Sequence, residues 1–94
     1  MKQLYVTAYR YHDDLDEDDL RELTKKFQEV GTTSGVVGHY TRLDAKGGFM
    51  VQEVPDDPEH DFEITIQYGR FMDFDVFPVT TIEDAFPVIR RVYG

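Results

Sequence analysis

The chain has no cysteine, no tryptophan and only 10 lysines and arginines among its 94 residues. Without cysteine there is neither a disulfide nor a thiolate zinc centre to reinforce a small fold. The basic residues stand against 19 Asp and Glu, a net charge of −9. That balance argues against DNA or RNA as a partner, because such binding depends on Lys and Arg neutralising phosphates. No window approaches the roughly 18–20 apolar residues of a membrane-spanning helix. Met1-Lys2-Gln3-Leu4 leads into an alternating stretch instead of the apolar run of a signal peptide. A cytoplasmic protein with no membrane partner is therefore expected. No Gly/Ser-rich or Pro-rich linker and no internal repeat divides the chain, so 1–94 reads as one domain. A Gly-x-Ser-x-Gly elbow, a phosphate loop and a dinucleotide fingerprint are all missing, and no cofactor is expected. His12-Asp13-Asp14 and Glu59-His60-Asp61 place histidines beside carboxylates. Adjacent residues seldom converge on one ion, and no metal site is expected.

What is present is apolar and aromatic: 40% hydrophobic residues, with 7 Phe and 6 Tyr. A domain of this length buries only about 60–65% of its unfolded surface, which leaves a thin core. Self-association is the expected remedy. The acidic residues cluster at 13–22 and 53–63, at expected loop-to-helix junctions, where carboxylates suit the positive end of a helix dipole.

Residues 2–11 alternate with the period of a strand, Leu4, Val6 and Ala8 against Tyr5, Thr7, Tyr9 and Tyr11. Leu20, Leu23, Phe27 and Val30 recur at helical spacing over 16–30, with Asp16 and Asp19 placed for a capping box and Gly31 for the stop. Residues 35–43 and 48–54 read as a hairpin around Asp44-Ala45-Lys46-Gly47. With Leu43 opposite Gly48, His39 falls opposite Gln52 and Tyr40 opposite Val51. Tyr40, Arg42, Phe49, Val51 and Glu53 then share one face; Val37, His39, Thr41, Met50, Gln52 and Val54 share the other. Pro55-Asp56-Asp57-Pro58 ends the hairpin. Over 62–68 the alternation of Phe62, Ile64, Ile66 and Tyr68 favours a strand locally, although Pro58 also suits the first turn of a helix. Residues 71–79 form a strand, with Met72, Phe74 and Val76 on one face and Phe71, Asp73, Asp75 and Phe77 on the other. Thr80 with Glu83, or Thr81 with Asp84, is placed to cap a last helical segment that Pro87 should break or restart.

Several short features together resemble the dimeric α/β-barrel superfamily, in a branch of short bacterial proteins. They are Gly48-Phe49, Glu53, Asp56-Asp57, Tyr68, Asp73-Phe74-Asp75-Val76, Pro78-Val79 and Ile82-Glu83-Asp84-Ala85. The resemblance implies an α+β, ferredoxin-like βαββαβ chain with a four-stranded antiparallel sheet and a C-terminal helical segment. It also implies that 58–69 is a helix, against the local alternation, and that two copies pair through their sheets into a barrel enclosing a cavity. On that frame Leu4, Val6 and Ala8 are expected under the helices. Tyr5, Thr7, Tyr9 and Tyr11 are expected at an interface or cavity, where an apolar ring with a polar tip is useful.

Two functional readings follow. The first is a cofactor-independent enzyme of isomerase, cyclase or monooxygenase type, using proton transfer in the barrel cavity. His39 is its first candidate base, since imidazole titrates near neutrality; Asp75 is the second, because burial raises a carboxyl pKa. Tyr5, Tyr9 and Tyr40 would hold a small apolar or aromatic ligand, and Arg42 with Glu53 would orient it or form a cross-strand ion pair. The second reading is a homodimeric small-ligand-binding or interaction module without catalysis.

Overall fold

The computed structural model describes residues 1–54 and 57–94. The elements are β1 (Leu4–Tyr11), α1 (Glu17–Val30), β2 (Val36–Thr41), β3 (Gly47–Gln52), α2 (Pro58–Tyr68), β4 (Met72–Val79) and α3 (Ile82–Tyr93). The four strands form one antiparallel sheet in the order β2-β3-β1-β4, consistent with a ferredoxin-like arrangement. Pro55 and Asp56, part of the expected turn after β3, lie outside the described residues.

Local chemistry accounts for α1. The Asp16 carboxylate accepts from the Asp19 amide at 2.8 Å, and Asp19 accepts from the Asp16 amide at 3.1 Å. Each satisfies an amide that the helix start leaves unpaired. Gly31, at φ 76°, closes the helix with its amide on the Phe27 carbonyl. Arg70 then reaches Asp19 and Glu22 at 2.9 and 2.7 Å, tying α1 to the turn before β4.

Residues 62–68 are helical, as the resemblance implied and the alternation did not. The Asp57 side chain caps α2 and Pro58 occupies its first turn. Asp61, Ile64 and Tyr68 are the buried residues, at i, i+3 and i+7, while Phe62 and Ile66 are exposed. The apolar alternation is thus split, half to the core and half to solvent. Ile64 at 3% exposure packs with Leu23, Tyr68, Phe71 and Met72, and Phe71 is fully enclosed. The expectation of a break at Pro87 is corrected. The helix continues through it, because proline there forfeits only the bond to the Glu83 carbonyl, one turn back.

The hairpin pairs His39 with Met50 and Tyr40 with Phe49, two residues away from the expected register. The loop explains the shift. Arg42 donates its amide to the Gly47 carbonyl, and Ala45 adopts φ 61° between them, so the turn closes one residue earlier on each strand. A shift of two preserves side-chain faces. The expected grouping of His39 with Thr41, Met50 and Gln52 therefore stands, whereas Val37 falls in the irregularity between Val36 and Gly38 and Val54 lies past the end of β3.

The larger correction concerns β1. Tyr9 and Tyr11 pack against the buried cluster under α1 and α2, and Tyr5, Thr7, Tyr9 and Tyr11 line a cavity on that side. Val6 and Ala8 lie on the opposite face, with Phe49, Asp73, Asp75 and Phe77. The long tyrosine rings bridge the gap between sheet and helices, and Tyr9 finds a hydrogen-bond partner inside it.

The helix α3 stands apart. None of its residues is buried, and Ile82, Phe86, Ile89, Val92 and Tyr93 are all exposed. The molecule is 53 Å along its longest axis. Its start is pinned by the Lys2 amide on the Asp84 carboxylate at 2.9 Å and by Thr80 on the Lys2 carbonyl.

Candidate functional site

The sheet and the two helices above it enclose an open-mouthed cavity of about 640 Å³. The size lies within the ~300–1,000 Å³ typical of small-molecule sites. Its walls are aromatic and aliphatic: Tyr5, Tyr9, Tyr11 and Phe74 from the sheet, Phe27 from α1, Ile64 from α2.

His39 projects from β2 and Tyr9 from β1, with β3 between them. The two meet because Gly48 of β3 has no side chain. A Cβ at Gly48 would lie 2.6 Å from Tyr9 Oη and 2.9 Å from Cζ. The tyrosine ring uses that space, and its Oη hydrogen-bonds His39 Nε2 at 2.7 Å. The rings of Tyr9 and Phe27 approach the imidazole at 5.7 and 6.1 Å between centroids. His39 itself is exposed. The enclosed part of the ring is enough for burial to lower its pKa below the ordinary 6.5. Burial, and then neighbouring Tyr11, push the Tyr9 phenol up to about 12. Both groups are therefore neutral at pH 7.

A second polar group lies deeper. Thr7 and Gln52 are buried, and the threonine hydroxyl donates to the Gln52 carbonyl oxygen. The Gln52 amide donates to the Thr33 hydroxyl and to the Ser34 carbonyl. Ser34 in turn gives its amide and hydroxyl to the buried Asp61 carboxylate, at 2.9 and 3.0 Å. Tyr68 donates to the Gly31 carbonyl at 2.6 Å. These bonds fix the 31–35 loop as part of the cavity wall.

Of the residues singled out from sequence, His39, Tyr9 and Tyr5 line this cavity, and Glu53 lies at its edge, 3.6 Å from Lys2. Asp75, Tyr40 and Arg42 do not join them. Asp75 pairs with Ala8 on the other face of the sheet and is exposed. Tyr40 stacks on Phe49 there, at 5.2 Å between centroids. Arg42 bonds Asp44 in the hairpin loop, at the opposite end of the hairpin from Glu53, so the two form no cross-strand pair. Gln52, Thr33 and Asp61 were not among the expected site residues, while Thr7, expected at an interface or cavity, lines this one. The hairpin pattern placed Gln52 on the His39 face, and helical phasing with Ile64 and Tyr68 was the available signal for Asp61. Among the described residues no three His, Asp or Glu side chains converge as metal ligands, and no helix is long and apolar enough to cross a membrane.

The architecture is that of a small α+β domain with a cavity between its sheet and its helices. The chain belongs to the family described as Domain of unknown function (DUF3303), whose model matches residues 3–93. No curated protein and no solved structure matches the chain.

Proposed function

We infer that the protein is a cofactor-independent enzyme moving a proton at a carbon next to a carbonyl, on an apolar or aromatic molecule held in the cavity. The observation that carries this reading is the neutral His39–Tyr9 pair, 2.7 Å apart on the wall of an aromatic cavity. A neutral imidazole is a base, and a phenol with a pKa near 12 keeps its proton at neutral pH. Tyr9 turns its O–H from His39 to the substrate oxygen. That frees Nε2 to take the proton from the adjacent carbon, leaving its electron pair in an enolate. Tyr9 stabilises the oxyanion, and His39 returns the proton to the same carbon or to another, which isomerises the substrate.

The test is deuterium exchange at the activated carbon of 2-tetralone in heavy water, followed by NMR. Exchange above the buffer rate that disappears in His39→Gln, and falls about 10²–10³-fold in Tyr9→Phe, supports the reading. Exchange no faster than buffer overturns it. The non-catalytic ligand-binding module then takes its place if the cavity still binds aromatic molecules.

The same reading makes the protein a cytoplasmic homodimer, paired as in a dimeric barrel. Its support is the exposed apolar side chains of two surfaces: Tyr40, Phe49 and Phe77 on the outer sheet face, and Ile82, Phe86, Ile89, Val92 and Tyr93 on α3. Large exposed apolar areas are unusual on a monomer. Sedimentation equilibrium is expected to give twice the chain mass at micromolar concentration, and a folded monomer there refutes the pairing.

A further inference from the structure

We propose that the cavity accepts neutral, flat aromatic molecules bearing a hydroxyl or carbonyl oxygen, and rejects carboxylates and phosphates of the same shape. The proposal rests on the reading of the cavity as a ligand site and adds the charge of what enters it. The argument is an inventory of the charged groups that face the space. Among the described residues its lining contains no lysine and no arginine. Its two charged members, Glu53 and Asp61, are both carboxylates. Asp61 is buried, with one oxygen accepting from the Ser34 amide and the other from the Ser34 hydroxyl. Lys2, near the edge, is engaged by Glu53. The Gln52 amide is committed to Thr33 and Ser34, so it offers no spare donors to an anion. The chain as a whole carries −9, which repels anions at long range.

An anionic ligand entering here would exchange water for a low-polarity wall without a counter-charge, and a buried unpaired charge is strongly disfavoured. A neutral ligand meets no such penalty. Aromatic side chains supply ring contacts, and two polar anchors remain for one oxygen. The Thr33 hydroxyl accepts from Gln52 and so keeps its own hydrogen to donate. The Tyr9 oxygen, whose hydrogen bond to His39 leaves a lone pair free, can accept from a ligand hydroxyl.

The experiment compares 2-naphthol with 2-naphthoate by isothermal titration at pH 7.5, where the first is neutral and the second anionic. The wild-type chain is expected to bind 2-naphthol at least 10-fold more tightly. Thr24 lines the cavity from α1 and is exposed. Thr24→Lys is expected to tighten 2-naphthoate several-fold relative to 2-naphthol. Equal or tighter binding of 2-naphthoate by the wild type overturns the proposal, as does no binding of 2-naphthol at millimolar concentration. A Thr24→Lys variant that gives 2-naphthoate no gain also counts against it. The outcome is separable from the catalytic reading. Selective binding without exchange of 2-tetralone refutes only catalysis, and exchange without charge selectivity refutes only this proposal.

Discussion

Gly48→Ala isolates the contact on which the site depends. The added methyl would stand 2.6 Å from Tyr9 Oη, and closer still to the Tyr40 carbonyl oxygen. Two adjustments are required. The phenol must leave His39, forfeiting a hydrogen bond worth about 1 kcal/mol net. The β2 backbone must also give way, which as overpacking costs about 1–3 kcal/mol. The sum is roughly 2–4 kcal/mol, or about 8–32 °C in Tm at the ~4–8 °C per kcal/mol expected for a domain of this size. Tyr9→Phe separates the two terms. It removes the hydrogen bond and keeps the ring and the strand spacing, so it should cost only about 1 kcal/mol. Urea denaturation measures the stabilities, and NMR titration of His39 reports the local contact. With the ring displaced, the imidazole is less enclosed and its pKa should move back toward 6.5 in Gly48→Ala. Unchanged stability together with an unchanged His39 titration would refute the reasoning. It would mean that Tyr9 does not occupy the space over Gly48.

The other predictions concern charge and packing. His39 should titrate below 6.5 and His12 above it, the latter because His12 donates to Asp73 at 3.1 Å and to the Arg70 carbonyl at 3.0 Å. The linkage signs are opposite. The His12 contribution is complete below pH 6.5 and is lost as pH rises through its raised pKa. The His39 penalty appears as pH falls below 6.5, where the unfolded chain takes up the proton first. In consequence His39→Gln should flatten the loss of stability on the acid side, and His12→Gln should remove the loss above pH 6.5, both read by urea denaturation across pH 5–8. Ile64→Ala should cost about 2–5 kcal/mol in the same assay, since it empties the centre of the buried cluster. Asp61→Ala should cost about 1–3 kcal/mol by stranding the Ser34 amide, and hydrogen exchange should show that amide losing protection.

How much was readable in advance depended on the range of the interaction. The α1 start needs only Asp16 and Asp19, three residues apart, and its stop needs only Gly31. These were legible because their partners lie within one turn. The 62–68 segment was not legible locally. Its β-branched alternation is overridden once Ile64 and Tyr68 reach the core formed with Leu23 and Phe71, contributed from elsewhere in the chain. Alternation in β1 identified two faces and left their destinations open. The tyrosine side turned inward because α1 and α2 sit on it, a fact of topology that no period-two pattern contains.

The amino-acid sequence alone determined the strands and helices other than α2, the hairpin faces that put His39 beside Met50 and Gln52, and the net charge of −9. Only the tertiary structure decided that Tyr9 reaches His39 across Gly48, while Asp75, Tyr40 and Arg42 fall on the other side of the sheet. The reason is physical. Side-chain period is a local property of the backbone, whereas contact between residues 30 positions apart depends on which strands become neighbours and on the space that a third strand leaves between them.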